Sequence, residues 1–282
     1  MKKIFLFACA GIMSLALNAQ ITTPQPSPAS KIEQKVGLTD VTIEYSRPSM
    51  KGRTIFGDLV PFDKMWRFGA NKNTTITFSD DVKVGENELK AGSYAIFAKP
   101  SLTSWEIYFY SDTNNWGTPR EWDDAKVAAK VSAASNSIPF DVETFTLDIN
   151  NLTNNGATLD IIWEKTYLAV PFTVPTSKAV EASIDKVMGG PGAGDYYSAA
   201  VYYLQEGKDI NKAKMWIDKA IDLTKDQPRF WYLRQQSLIY SKAGDVKGAI
   251  EAAKKSLTGA EAAGNADYVK MNKESIAKWS KM

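Results

Sequence analysis

Near Pro175 the spacing of apolar residues changes from every second position to every third or fourth. A period of two places alternate side chains on the two faces of a strand, and a period near 3.6 places them on one face of a helix. A chain that does first one and then the other is held to two units, a β unit followed by an α unit.

From Lys31 to Pro175 the period is two. VTIEYS sets Val41, Ile43 and Tyr45 against Thr42, Glu44 and Ser46, and TTITFS contributes Ile76 and Phe78. SYAIFAKP, SWEIYFYS, ETFTLDIN, ATLDIIWEK and YLAVPFTV have the same β-branched and aromatic character. Turn signals such as Ser79-Asp80-Asp81, Gly85-Glu86-Asn87 and Asn154-Asn155-Gly156 separate them. Roughly nine or ten short strands at this spacing predict an antiparallel β-sandwich of jelly-roll kind over residues 31–175.

After Pro175, Thr176 or Ser177 is placed to cap a helix with Val180, Ile184, Val187 and Met188 on one face. A glycine-rich break from Gly189 to Gly194 follows, and Asp195 offers the next cap. Residues 206–223 then align with residues 242–259 at a period of 36. Asp209 matches Asp245, Ile210 matches Val246, Ala213 matches Ala249, and Ala220 falls opposite Ser256. A small residue one turn into a helix lets a paired helix approach closely. This region, 176–282, resembles the tetratricopeptide repeat, with Tyr240, Gly244, Asp245, Ala249 and Leu257 on its pattern. The Trp and Gly usual in the first helix of that repeat are absent. A last helix with Tyr268, Met271, Ile276 and Trp279 inward closes the array. Repeat surfaces of this kind suit a protein partner.

Residues 1–19 have the three parts of an export signal. Lys2 and Lys3 are followed by an apolar run from Ile4 to Leu17 and a cut after Ala19, leaving Gln20 first. The run is shorter than the roughly 20 residues a spanning helix needs. Losing both lysines brings the formal charge of +2 to neutrality. A neutral chain carries no footprint for nucleic acid or anionic lipid. Residues 20–30, rich in Pro, Ser and Thr, read as an extended leader.

The chain has no histidine, and its one cysteine, Cys9, lies in the signal. That excludes Ser-His-Asp and Cys-His catalysis, a histidine base and the usual zinc and haem ligands in the mature chain. No cofactor and no metal are expected. The S-x-x-K matches Ser183-Lys186 and Ser275-Lys278 lack the companion motifs of a Ser-Lys nucleophile. Asp80-Asp81 and Asp123-Asp124 lack the spacing of a calcium loop and read as turns.

Four stretches carry a family resemblance: PSPAS (26–30), VGLTDVTIEYSRPSMKGRTIFG (36–57), LVPFDKMWRFGANKNTTITFS (59–79) and VKVGENELKAGSYAIFAKP (82–100). YSRP-x-x-KGR followed by W-R-x-GAN is their distinctive part. From Pro26 to about Thr173 the chain resembles the bacterial family of domains of unknown function 2911 (DUF2911). The resemblance implies an exported bacterial protein, in which helical repeats can follow the domain. It implies no reaction and no catalytic residues.

Two loops concentrate the candidate ligand-binding residues. Arg47, Lys51 and Arg53 leave the Val41–Ser46 strand, and Lys64, Arg67 and Lys72 share a second loop with Trp66, Asn71 and Asn73. If the loops meet, Arg47, Lys51, Arg53, Trp66, Arg67 and Asn71 form an anion pocket with an aromatic wall. The competing expectation is that Arg47 and Arg67 pair with Glu44, Asp58 or Asp63 and staple the loops. Trp116, Arg120 and Trp122 form a second aromatic patch, suited to stacking on a glycan or to covering the sandwich. Tyr196, Tyr197, Tyr202, Tyr203, Trp216, Phe230, Trp231 and Tyr232 read either as a peptide-binding face or as packing between helices.

These features favour an exported, non-catalytic protein of the periplasm, outer membrane or cell exterior. Its sandwich would bind a small anionic or glycan ligand, and its helices would bind a protein. The alternative is a carboxylate-dependent glycan hydrolase or lyase.

Overall fold

A computed structural model describes residues 23–187 and 190–282. The export signal, the cut before Gln20 and Met188 lie outside the described residues. The fold divides into two compact units at Pro175/Thr176.

Among the described residues the first unit holds ten strands: β1 (Ala29–Val36), β2 (Thr39–Ser46), β3 (Thr75–Phe78), β4 (Val82–Val84), β5 (Asn87–Leu89), β6 (Gly92–Pro100), β7 (Ser104–Tyr110), β8 (Val127–Ala134), β9 (Asn136–Thr153) and β10 (Gly156–Thr173). They form a six-stranded sheet in the order β1-β2-β3-β6-β7-β8 and a four-stranded sheet in the order β5-β4-β10-β9. Every pairing is antiparallel. Neighbours in a sheet are mostly neighbours in sequence, a more meandering route than the interleaved strands of a jelly roll. The strands are not uniformly short, because β9 and β10 run 18 residues each. Pairing also begins earlier than expected: Ala29 and Ser30, read as leader, are the first residues of β1.

Alternation aims one face of each sheet at a shared core. Val41, Ile43 and Tyr45 are buried there, as are Ile76 and Phe78, together with Leu147, Leu159 and Phe172 from the opposite sheet. The outer face of the six-stranded sheet is apolar as well. Ala95, Phe97, Tyr108 and Tyr110 face outward and are covered by Met65, Trp122 and Val127. Burial on both faces explains why β6 reads as an almost unbroken apolar run.

Among the described residues the second unit holds six helices: α1 (Thr176–Val187), α2 (Ala193–Gln205), α3 (Ile210–Asp222), α4 (Phe230–Lys242), α5 (Val246–Ala262) and α6 (Ala266–Trp279). The internal repeat corresponds to structure. Asp209 caps α3 by accepting from the Asn211 and Lys212 N–H groups, and Asp245 caps α5 by accepting from the Gly248 N–H. Ala213, Ala249, Ala220 and Ser256 are all fully buried. Three expectations at the start of this unit are corrected. The Thr176 hydroxyl is buried with no hydrogen-bond partner among the described residues, so it caps nothing there. Val187 is exposed rather than on an inward face. Asp195 acts from the third helical position, accepting from the Gly192 N–H, because α2 begins at Ala193.

Candidate functional site

The YSRP-x-x-KGR motif is a strap rather than an anion pocket. Beyond β2, residues 48–50 run along the open edge of β9: Phe145 N–H donates to Pro48 O at 2.9 Å and Met50 N–H to Glu143 O at 2.8 Å. Ser49 and Thr144 form a bridge. Capping an edge in this way removes a row of unpaired backbone groups. Arg47 extends the strap, donating from Nε to Phe145 O at 3.1 Å and from Nη2 to Thr146 Oγ1 at 2.8 Å. Lys51 and Gly52 both have positive φ. With the Arg53 N–H bonded to Met50 O they make the tight turn that ends the strap. Arg53 grips its own turn through Met50 O and Ser49 O. The Lys51 N–H donates to Glu143 Oε1. Arg47 therefore staples its segment, but through a carbonyl and a hydroxyl rather than the acids Glu44, Asp58 or Asp63. A guanidinium fork donates to either kind of oxygen.

Trp66 is core. It stacks on Trp163 with ring centroids 6.0 Å apart and meets Phe56, Phe68, Trp105 and Phe145 edge-on or tilted. Its backbone exchanges both hydrogen bonds with Ala98. It cannot serve as the wall of an open pocket, and this corrects that expectation.

Arg67 and Asn71 lie elsewhere. Asn71 Nδ2 donates to Ser27 O at 3.1 Å and to Ser46 Oγ at 3.4 Å, tying the segment before β1 to the end of β2. The exposed Arg67 lays its guanidinium on Gly117, where an added methyl would sit 3.4 Å from Nη1. Gly117 has a φ of +90°, in the left-handed region that favours glycine.

Directly after Asn71 in sequence, Lys72 and Asn73 line a recess of about 330 Å³ on the outer face of the six-stranded sheet. Lys31, Glu44 and Thr75 are cross-strand neighbours on β1, β2 and β3 and form one side. Ser46, Lys72 and Asn73 complete it. Lys31 is paired with Glu33, whose carboxylate accepts its hydrogen bond and raises the ammonium pKa. The exposed Lys72 has no ion pair among the described residues.

Asn73, which the sequence placed in the second loop but outside the candidate pocket, is the residue that stands out. It is 3% exposed. Its Oδ1 accepts from the Gly117 N–H at 3.1 Å, and its Nδ2 is buried with no partner among the described residues. A buried amide donor left unpaired costs about 1–3 kcal/mol. No sequence signal marks it, since Asn is ordinary in loops.

The second aromatic patch splits. Trp122 covers the sheet, meeting Phe97, Tyr108 and Tyr110 at 4.8–5.5 Å and donating from Nε1 to Asp124. Trp116 stands 75% exposed beside Gly117, and Arg120 is exposed. In the helical unit most of the candidate aromatics pack: Tyr197 stacks on Tyr232 at 4.1 Å and Tyr203 meets Trp216 at 4.8 Å. Ser183 and Lys186 are exposed, and Ser275 Oγ accepts from Arg234. Asp81 accepts from Lys90 and the Ala91 N–H, and Asp123 caps a short turn. Among the described residues no cluster of carboxylates could hold a metal ion. None of their helices is long and apolar enough to cross a membrane.

A family model described as a protein of unknown function, DUF2911, matches residues 27–172. No curated protein matches the chain. No solved structure matches it.

Proposed function

The chain belongs to the DUF2911 family, and from that premise we propose that it is an exported, non-catalytic binding protein whose sandwich takes a small anionic or glycan ligand. The observation that carries this reading is Asn73, a buried amide in the wall of the recess whose Nδ2 has no partner among the described residues. A ligand oxygen there would satisfy it. Lys72 supplies positive charge at the rim, and the Trp116 indole, on the loop hung from Asn73 Oδ1, supplies a flat apolar face. An amide, a cation and an indole together suit an acidic sugar. One carboxylate, Glu44, lines the recess, whereas glycoside cleavage uses a flanking pair. This favours binding over the carboxylate-dependent enzyme. The helical unit supports the second half of the reading, a module that docks a protein.

Calorimetric titration with glucuronate, glucose and acetate tests the recess. Glucuronate should give saturable heat and glucose less. Asn73→Asp keeps the acceptor for Gly117 but replaces the donor with a negative charge, and should weaken glucuronate at least about tenfold. If none of the three probes gives saturable heat, or if Asn73→Asp binds as well as wild type, the reading fails.

A further inference from the structure

The helical unit carries a groove of about 520 Å³ where the α3–α4 connection meets the last turns of α5. Its floor is apolar, formed by Ile221, Phe230 and Leu233. Its rim is basic, formed by Lys225, Arg229 and Lys255, and no acid lines it. Neighbouring Asp222 is turned to Lys219, at 3.7 Å. None of the three rim cations has an acid within ion-pair distance among the described residues.

Two further features shape this groove. Gly259 faces Phe230, and a methyl group added there would lie 2.9 Å from Phe230 Cβ. Glycine thus lets α5 lie close against the Phe230 side of the floor. Arg229 is held in place rather than waving: its guanidinium lies 5.0 Å from the Tyr232 ring and 6.0 Å from the Trp231 ring, and Nη1 donates to the Tyr232 hydroxyl at 2.8 Å. A cation fixed before binding loses less freedom when it meets a carboxylate. Arg229 also precedes α4 without capping it through its side chain, so the positive end of that helix dipole adds to the same corner.

We propose that this groove docks an extended segment of a partner protein in which one or two apolar side chains are flanked by carboxylates. The apolar floor gives the anchor its place, and the basic rim selects the charge around it. A polyanion such as nucleic acid would use the cations and leave the floor empty, and the near-neutral chain offers no wider field to attract one. The proposal rests on the reading of the helical unit as a docking module and names the surface and the partner chemistry.

The test is fluorescence anisotropy of the full mature chain with a labelled decapeptide carrying a leucine-phenylalanine pair between two pairs of glutamates. It should bind saturably, with affinity falling as salt rises. Replacing the glutamates by glutamine, or the apolar pair by serine, should each weaken binding about tenfold or more. The double variant Lys225→Glu/Lys255→Glu changes two exposed side chains and should lose binding by a similar factor, with its helical circular dichroism and melting temperature unchanged. No binding, equal binding of either control peptide, equal binding by the double variant, or equally tight binding of single-stranded DNA overturns the proposal. A native partner crosslinked equally well to wild type and double variant also overturns the groove, while leaving the docking reading in place. The sandwich titration is independent of all these outcomes.

Discussion

Asn73 and Gly117 lie 44 residues apart and are joined by one hydrogen bond, from the Gly117 N–H to Asn73 Oδ1 at 3.1 Å. That bond ties the Trp116 loop to Asn73, one of the residues that line the recess. Asn73→Ala should release the loop and speed hydrogen exchange at the Gly117 amide, whereas Asn73→Asp should keep it protected. Equal protection in wild type and Asn73→Ala would show that the loop is held by other contacts.

Arg47 should matter for stability and not for ligand. Its two bonds to Phe145 O and Thr146 Oγ1 are made by a charged donor that is partly buried. Arg47→Ala is expected to destabilise the sandwich by about 1.5–3 kcal/mol in denaturant unfolding. Its affinity for glucuronate should be unchanged. A variant as stable as wild type would remove the strap's role.

Trp66 and Trp116 should behave oppositely. Trp66→Ala empties the centre of an aromatic cluster and is expected to cost about 3–5 kcal/mol. Trp116 is 75% exposed, so Trp116→Ala should stay within about 0.5 kcal/mol of wild type. Glucuronate titration of that variant should nevertheless show weaker binding. Full affinity in Trp116→Ala would take the indole out of the site.

Asp245 sets a pH dependence in the helical unit. The Gly248 N–H, and then the Lys214 ammonium, hold its carboxyl below the ordinary aspartate range. The unfolded chain, with an ordinary value of about 3.9, therefore binds the proton first. The stabilisation is complete above that value and is lost as pH falls through the lower folded value. Helical melting in acid should show this loss. Asp245→Asn keeps an acceptor for the cap and should flatten the acid limb. An unchanged limb would assign the pH dependence to other groups.

What the sequence made legible was periodicity, and what it hid was partnership. Val41, Ile43 and Tyr45 announce their face because a strand alternates, and Ala213 and Ala249 announce close helix packing because they are small. The boundary near Pro175 follows from the same arithmetic. Arg47 and Arg53 gave the right residue types for anion binding, but a guanidinium bonds a carbonyl as readily as a carboxylate. Which oxygen it meets depends on Phe145, about a hundred positions away in sequence. Trp66 looked like a loop aromatic because it belongs to no strand of its own and is fixed by a single bridge to Ala98 of β6. Asn73 gave no signal, since its character comes from the Gly117 amide and from burial.

The Tyr45 hydroxyl both donates to Leu147 O and accepts from the Leu147 N–H, across 102 residues of chain. The buried polar pair of the helical unit, Ser256 and Asn272, is only 16 residues apart. Closing the sandwich therefore waits on a long loop search, while the helices find their neighbours nearby. Refolding should show two phases, with helical dichroism recovering first and tryptophan fluorescence of the sandwich later. The second half of the chain would then reach its native form before the first, so any partner of the helices meets a finished surface while the sandwich is still assembling.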